Sequence, residues 1–105
     1  MILALVRDLL FASKITSAAQ ARGVVVRIVR DPNTLVNETG TRLLVDLNQP
    51  GALEAAVQWK LTHARPVLGF VSHVDADTIT RAREAGIDQI LSRGQFVQQL
   101  DQLLQ

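Results

Sequence analysis

Five short runs of apolar residues recur along the 105-residue sequence, and each is followed by a segment with helical spacing. The runs are rich in Val, Ile and Leu, as is typical of parallel strands that are covered on both faces. They comprise Ile2–Val6, Val24–Val29, Leu43–Val45, Val67–Val71 and Ile87–Leu91. Because right-handed crossovers lay each helix back onto the sheet, the alternation predicts one α/β domain with a parallel sheet between two helical layers.

The segments between the runs carry signals for the start and end of helices. Asp31 is a suitable cap residue before Pro32, which fits the first helical turn. Asp75 is suited to start the fourth helix, and Asp8 to cap the first. Three glycines mark expected helix ends: Gly23, Gly40 and Gly86.

The third helical segment is expected to bury one apolar stripe and to expose its single aromatic residue. The expected stripe consists of Leu53, Ala56, Val57, Leu61 and Ala64. Trp59 would then lie on the outer side of the helix, where a lone aromatic residue could mark a partner surface.

Charge and composition exclude several classes of function. Lys and Arg total 11 against 10 Asp and Glu, and no basic stripe is present, so we expect no nucleic-acid partner. The absence of cysteine excludes disulfides and thiol chemistry, which fits a cytoplasmic protein. Arg7 and Asp8 interrupt the apolar N-terminus long before it reaches membrane-spanning length, so no membrane association is expected.

Polar residues follow the predicted strands where open α/β sheets bind their ligands, at the carboxyl ends. They are Arg7-Asp8, Arg30-Asp31, Asp46, Ser72-His73 and Ser92-Arg93. This places Asp46 at the edge of the core, facing a cleft. His63 and His73 have no neighbouring base, nucleophile or ligand spacing, so no chemistry is expected of them.

Three stretches together give the chain a resemblance to a known family over essentially its whole length. The most specific is "VDLNQPG", followed by "ARPVLGFVSH" and "AREAGIDQILSRGQF". They resemble the receiver domain of bacterial two-component response regulators. The resemblance implies a flavodoxin-like fold with strand order 2-1-3-4-5. It also implies Asp46 as the phosphoacceptor, Asn48 and Pro50 in the adjoining loop, and Ser72 as the candidate switch hydroxyl.

The sequence also departs from the pattern of that family. Where the family has two adjacent acids that hold Mg²⁺, this chain has Arg7-Asp8, so only Asp8 and Asp46 remain for a metal that would bind weakly at best. Without a gap, Arg7 occupies the metal-ligand position. The position of the family's lysine falls on Arg93, and the switch position falls on Val71, one residue before Ser72.

Each candidate residue also has a simpler interpretation. Asp46 could be a turn former that hydrogen-bonds its own loop, and Asp8 is more readily a helix cap than a metal ligand. Arg7 or Arg93 could pair with Asp46 as a bidentate partner, hold a phosphate, or remain solvated. The position of Arg7 relative to Asp46 therefore separates the leading hypotheses.

The first hypothesis is a stand-alone receiver-like module, not an enzyme, with a degenerate acidic site and no effector domain. It would act by binding a protein: a histidine kinase, a phosphotransfer protein or a downstream protein. The resemblance places the partner or homodimer surface at residues 75–105. The second hypothesis is a phosphorylatable single-domain regulator that uses Asp46. The third, a small-ligand-binding flavodoxin-like domain, lacks a phosphate-cradling loop after the first strand.

Overall fold

The computed structural model describes residues 1–72 and 74–105, and these fold around one five-stranded parallel sheet. The strands are β1 (Ile2–Leu5), β2 (Val26–Val29), β3 (Arg42–Asp46), β4 (Val67–Val71) and β5 (Gln89–Ser92). They lie in the order β2-β1-β3-β4-β5, and every neighbouring pair is parallel. The predicted α/β architecture and the strand order implied by the resemblance are both confirmed.

In the part of the chain that the structure describes, five α-helices and one 3₁₀ helix connect and follow the strands. They are α1 (Leu9–Ala21), the 3₁₀ helix (Pro32–Asn37), α2 (Ala52–His63), α3 (Ala76–Glu84), α4 (Arg93–Gln98) and α5 (Leu100–Leu103). The expected caps are present, since Asp8, Asp31 and Asp75 each accept hydrogen bonds from backbone N–H groups in the helix that follows. The second helical segment forms only a 3₁₀ helix because it is short and contains Asn, Thr and Val, which are weak helix formers.

The sheet separates two apolar layers, because successive residues of a strand point to opposite faces. We call the first the tryptophan layer. Its members include Trp59, Leu3, Leu5, Leu35, Leu43, Val45, Leu47, Leu53, Val71 and Ile87. The second, the phenylalanine layer, contains Phe11, Phe70, Phe96, Ala4, Val6, Ile15, Leu44, Leu91, Leu100 and Leu104.

The prediction that Trp59 lies on the outer side of its helix is wrong. Trp59 is fully buried, and its indole Nε1 donates a 2.9 Å hydrogen bond to the carbonyl oxygen of Glu38. Helix α2 packs against both β3 and the 3₁₀ helix, so its buried stripe runs through Leu53, Ala56 and Trp59. The stripe expected from the sequence is therefore rotated, and Leu61 lies exposed instead.

The phenylalanine layer contains the other aromatic rings of the core. The ring centroids of Phe11 and Phe70 lie 4.8 Å apart, and those of Phe70 and Phe96 lie 4.3 Å apart. These stacked rings join α1, β4 and α4 into one block on this side of the sheet. No helix within residues 1–72 and 74–105 is long and apolar enough to cross a membrane.

Candidate functional site

Asp46 ends β3 on the face of the sheet that carries the phenylalanine layer. Its Cα pairs with that of Phe70 in the register between β3 and β4. The residue is only 5% exposed, and both carboxylate oxygens have partners. Oδ1 accepts a 3.0 Å hydrogen bond from the backbone N–H of Asn48, and Oδ2 lies 2.8 Å from Nη2 of Arg93. Asp46 is thus both a turn former and half of an ion pair.

Arg93 reaches Asp46 from the first turn of α4. That helix begins with a capping box, in which the Ser92 hydroxyl accepts from the N–H of Gln95 and the Gln95 side chain accepts from the N–H of Ser92. The Arg93 guanidinium carbon lies 5.3 Å from the ring centroid of Phe11 and 6.0 Å from that of Phe70. A cation over aromatic faces is attracted by their negative charge density. The cap and the two rings therefore hold the guanidinium against Asp46.

Arg7 lies on the other side of the sheet from this ion pair. Leu5 pairs with Val45 in the register of β1 and β3, so alternation places Arg7 on the side of the tryptophan layer. There it lines a depression of about 410 Å³ together with Pro32, Pro50, Ala55 and Gln58, among others. Of the two arginines considered as partners of Asp46, the structure places Arg93 in that position.

Asp8 caps α1, which is the simpler of its two interpretations. Its Oδ1 accepts hydrogen bonds from the backbone N–H of Leu10 at 2.9 Å and of Phe11 at 3.3 Å. The helix that it caps carries Phe11 into the phenylalanine layer, beneath the Arg93 guanidinium. Asp8 thus contributes to the site by positioning an aromatic ring.

These residues do not suit Mg²⁺, which requires near-octahedral oxygen ligands. One carboxylate, Asp46, has a guanidinium at hydrogen-bonding distance, and the other, Asp8, is engaged by two backbone donors. Outside position 73, the chain contains no group of three or more His, Asp or Glu side chains arranged to hold a metal ion. The cation beside the Asp46 carboxylate is therefore the guanidinium of Arg93.

Asn48 joins the loop after β3 to the loop after β4. Its Oδ1 accepts a 2.7 Å hydrogen bond from the backbone N–H of Ser72, and its Nδ2 donates to Oδ2 of Asp75 at 2.9 Å. Asp75 also accepts hydrogen bonds from the hydroxyl and backbone N–H of Thr78. The bonds from Thr78 are the main reason that the pKa of Asp75 lies below its ordinary value. Asn48 thus connects Ser72 and the start of α3 to the loop that begins at Asp46.

Gln49 is a structural residue of the site that was not singled out from the sequence. It is buried, and its Nε2 donates a 2.9 Å hydrogen bond to the carbonyl oxygen of Arg30. This contact ties the loop after β3 to Arg30, the residue that follows β2. A polar residue between Asn48 and Pro50 reads as an exposed loop residue, so no sequence signal indicated its burial. Pro50 itself is exposed, as expected of a loop residue.

Of the two histidines, only His63 lies among the residues that the structure describes. The Nε2 atom of His63 lies 3.0 Å from the carbonyl oxygen of Val36, and its ring lies beside that of Trp59. It therefore packs at the edge of the tryptophan layer. His73, of which no chemistry was expected, lies outside the described residues.

The fold is that of the receiver domains of response regulators. The receiver domain of NtrX from Brucella abortus superimposes with a TM-score of 0.82 at 15% identity, covering 98% of this chain and 93% of that one. The phosphorylated cyanobacterial phytochrome response regulator RcpA gives 0.76 at 20% identity, covering 98% and 86%. The predicted receiver fold is therefore confirmed.

A third similar structure includes a modified aspartate. It is a response regulator from Burkholderia pseudomallei with a phosphorylated aspartic acid, a calcium ion and citrate, at 19% identity and a TM-score of 0.79. The present chain is covered over 99% of its length but spans only 65% of that regulator. No protein-family model and no curated protein sequence matches the chain. The similarity is thus one of structure.

Proposed function

We propose that this chain is a receiver-like signalling module with a degenerate acidic site, which acts by binding another protein. The observation that carries the proposal is the ion pair between Arg93 and a buried Asp46. Phosphoryl transfer to aspartate needs an accessible carboxylate as the nucleophile. Here one oxygen accepts from the Asn48 backbone and the other pairs with Arg93, so the resting site is closed to a phosphodonor.

The loss of an acidic neighbour supports the same proposal. Receiver domains are expected to end their first strand in two acids, whereas this chain has Arg7 and a helix cap, Asp8. Since residues 1–72 and 74–105 contain no cluster suited to a metal ion, Arg93 is the cation positioned to balance the negative charge of an incoming phosphoryl group. The Arg93 guanidinium would then have to leave the Asp46 carboxylate and bind the phosphate.

The alternative function is a phosphorylatable regulator that uses Asp46, and two observations favour it. Arg7 lies on the other side of the sheet and does not obstruct Asp46. The structurally similar Burkholderia regulator contains a phosphorylated aspartic acid. In this alternative Arg93 exchanges the carboxylate for the phosphate, and Ser72, which is tied to Asn48 through its N–H, supplies the switch hydroxyl.

The partner is proposed to be a protein of the signalling pathway, namely a histidine kinase, a phosphotransfer protein or a downstream protein. By resemblance, its surface would be residues 75–105, which comprise α3, β5, α4 and α5. A cytoplasmic location and the absence of nucleic-acid or membrane partners stay predictions from the sequence.

The deciding experiment is the intact mass of the protein after incubation with acetyl phosphate and Mg²⁺, quenched in acid to preserve an acyl phosphate. We expect no phosphoryl adduct in the wild type. An adduct that is lost in Asp46→Asn would overturn the proposal and establish the alternative.

Arg93→Lys and Arg93→Ala make this measurement sharper. If the guanidinium closes the site, Arg93→Ala exposes Asp46, and Arg93→Lys restores the residue type of the receiver family. A phosphoryl adduct that forms in Arg93→Lys but not in the wild type would show that the Arg93 guanidinium prevents phosphorylation. Circular dichroism of each variant checks that the fold is retained.

A further inference from the structure

A continuous apolar groove lies between α2 and α3, away from Asp46. It consists of two adjoining depressions of about 590 and 610 Å³. Val57, Leu61 and Ala85 line both depressions, so these residues mark the middle of the groove. The first depression extends toward Leu53, and the second extends toward Pro66.

Two ion pairs cross this groove, one between α2 and α3 and one between α2 and the segment before β5. Arg81 on α3 lies 3.1 Å from Glu54 on α2, and Lys60 on α2 lies 2.6 Å from Asp88 just before β5. The Lys60 ammonium also donates a hydrogen bond to the carbonyl oxygen of Gly86. These contacts fix the groove in the single chain, so a partner would meet a preformed surface.

Leu61 projects from the middle of the groove and is 81% exposed. The opposite side of α2 already packs in the core, since Trp59 and Ala56 are buried in the tryptophan layer. A large apolar side chain beside two apolar depressions can fill the same depression in a second copy. Burial of such a side chain is a favourable contribution to association.

The charges along the groove favour a second copy as its occupant. Arg65 is exposed and lines only the depression that includes Pro66, while Glu84 is exposed and lines only the depression that includes Leu53. Within residues 1–72 and 74–105, neither belongs to an ion pair, whereas the other charged residues of the groove do. An antiparallel arrangement about a two-fold axis brings Arg65 of each copy toward Glu84 of the other.

We propose that two copies of this chain associate through the groove between α2 and α3, with Leu61 of each copy inserted beside Val57 and Ala85 of the other. The two-fold axis lies near Leu61, and two reciprocal Arg65–Glu84 pairs close the ends. This surface shares α3 and residues 85–88 with the one that the resemblance implies, but α2 is at its centre, and α4 and α5 lie outside it. The inference does not depend on whether Asp46 is phosphorylated.

Sedimentation velocity over a range of concentrations tests the proposal on the full chain. We expect the wild type to form a dimer of twice the 11.5 kDa chain mass. Leu61→Glu should weaken the dimer at least tenfold. Leu10→Glu is the matched control, because Leu10 is 79% exposed on α1 and lies outside the groove. The proposal is overturned if the wild type stays monomeric or if both variants dimerise equally well.

A charge swap tests the relative orientation of the two copies. Arg65→Glu and Glu84→Arg should each weaken the dimer several-fold, since each places like charges together, and the double variant should restore it. Failure of the double variant to recover contradicts the antiparallel arrangement. Val97→Glu tests the competing surface, because Val97 is 39% exposed on α4. A dimer that Val97→Glu disrupts and Leu61→Glu does not would overturn the proposal.

Discussion

The two apolar layers of the sheet differ in how they are connected to polar groups. In the tryptophan layer, the Trp59 indole donates to the carbonyl oxygen of Glu38, so this hydrogen bond joins α2 to the end of the 3₁₀ helix and does not involve the candidate site. In the phenylalanine layer, the rings of Phe11 and Phe70 lie beneath the guanidinium that pairs with Asp46. One layer therefore stabilises the fold, and the other also positions the candidate site.

This difference explains why the strand-end residues are not equivalent. Asp46 and Arg93 meet on the phenylalanine side, while Arg7 lines a depression on the tryptophan side and Gln49 donates to the carbonyl oxygen of Arg30. If the contrast is correct, substitutions in the tryptophan layer change stability alone. Substitutions at Arg93 or in the rings below it should change the site as well.

The largest expected effect is on the tryptophan side. Trp59→Ala removes a fully buried indole and leaves the Glu38 carbonyl without its donor, which should lower the free energy of unfolding by about 3–5 kcal/mol. Urea denaturation followed by circular dichroism measures this loss. A loss below about 1 kcal/mol would show that the layer collapses around the cavity and that its packing is not specific.

Gly69→Ala tests the packing of the sheet centre against the same layer. Gly69 lies in β4 between Leu68 and Phe70, and a Cβ atom there would overlap the side chain of Leu47. We expect a loss of about 1–3 kcal/mol of stability from this overpacking. Gly94→Ala in α4 is the matched control, because a Cβ atom at Gly94 has no neighbour within 4 Å. Equal effects of the two substitutions would contradict the expectation.

On the phenylalanine side, a double-mutant cycle between Arg93→Met and Asp46→Asn measures the ion pair. Asp46 is buried but Arg93 is partly exposed, so solvent reduces the coupling, which we expect to be about 1–2 kcal/mol. Denaturation of the wild type, both single variants and the double variant gives the value. A coupling near zero would mean that the two residues are close without stabilising each other.

The smallest effect concerns Asp88, at the edge of the tryptophan side. Hydrogen bonds from Lys60 and from the Val67 N–H lower the pKa of Asp88 below its ordinary value. The ionised form is thus favoured by folding, and its contribution is present above about pH 4 and lost as the pH falls through the lowered pKa. Because the Asp88 side chain is 44% exposed, solvent screens these contacts, and Asp88→Asn should cost only about 0.5 kcal/mol near pH 7, less in acid. A pH-independent difference would contradict this.

The sequence predicted the parts of the fold that depend on local chemistry. The strand runs, the caps at Asp8, Asp31 and Asp75, and the parallel architecture could all be read from apolar runs and cap residues. The strand order required the family resemblance, because local patterns do not specify which strands are neighbours. The second helical segment was expected correctly in position but forms a 3₁₀ helix.

The prediction for Trp59 and Leu61 was wrong, and the partner of Asp46 was left open, because tertiary contacts decide both. Trp59 and Leu61 exchanged their expected positions because α2 packs against the 3₁₀ helix, whose location was unknown. The separation of Arg7 from Asp46 depends on the register between β1 and β3. The pairing of Arg93 with Asp46 depends on β4 lying between their strands and bringing Phe70 beneath the guanidinium. None of these contacts is local in sequence.

Trp59 is the only tryptophan of a chain that has no tyrosine. Intrinsic fluorescence excited in the near ultraviolet therefore comes from a single indole, which is enclosed and hydrogen-bonded on one side of the sheet. Its emission reports the environment of α2 and the neighbouring 3₁₀ helix, while the ion pair at Asp46 lies across the sheet. The protein thus contains a natural optical probe for one of its two layers.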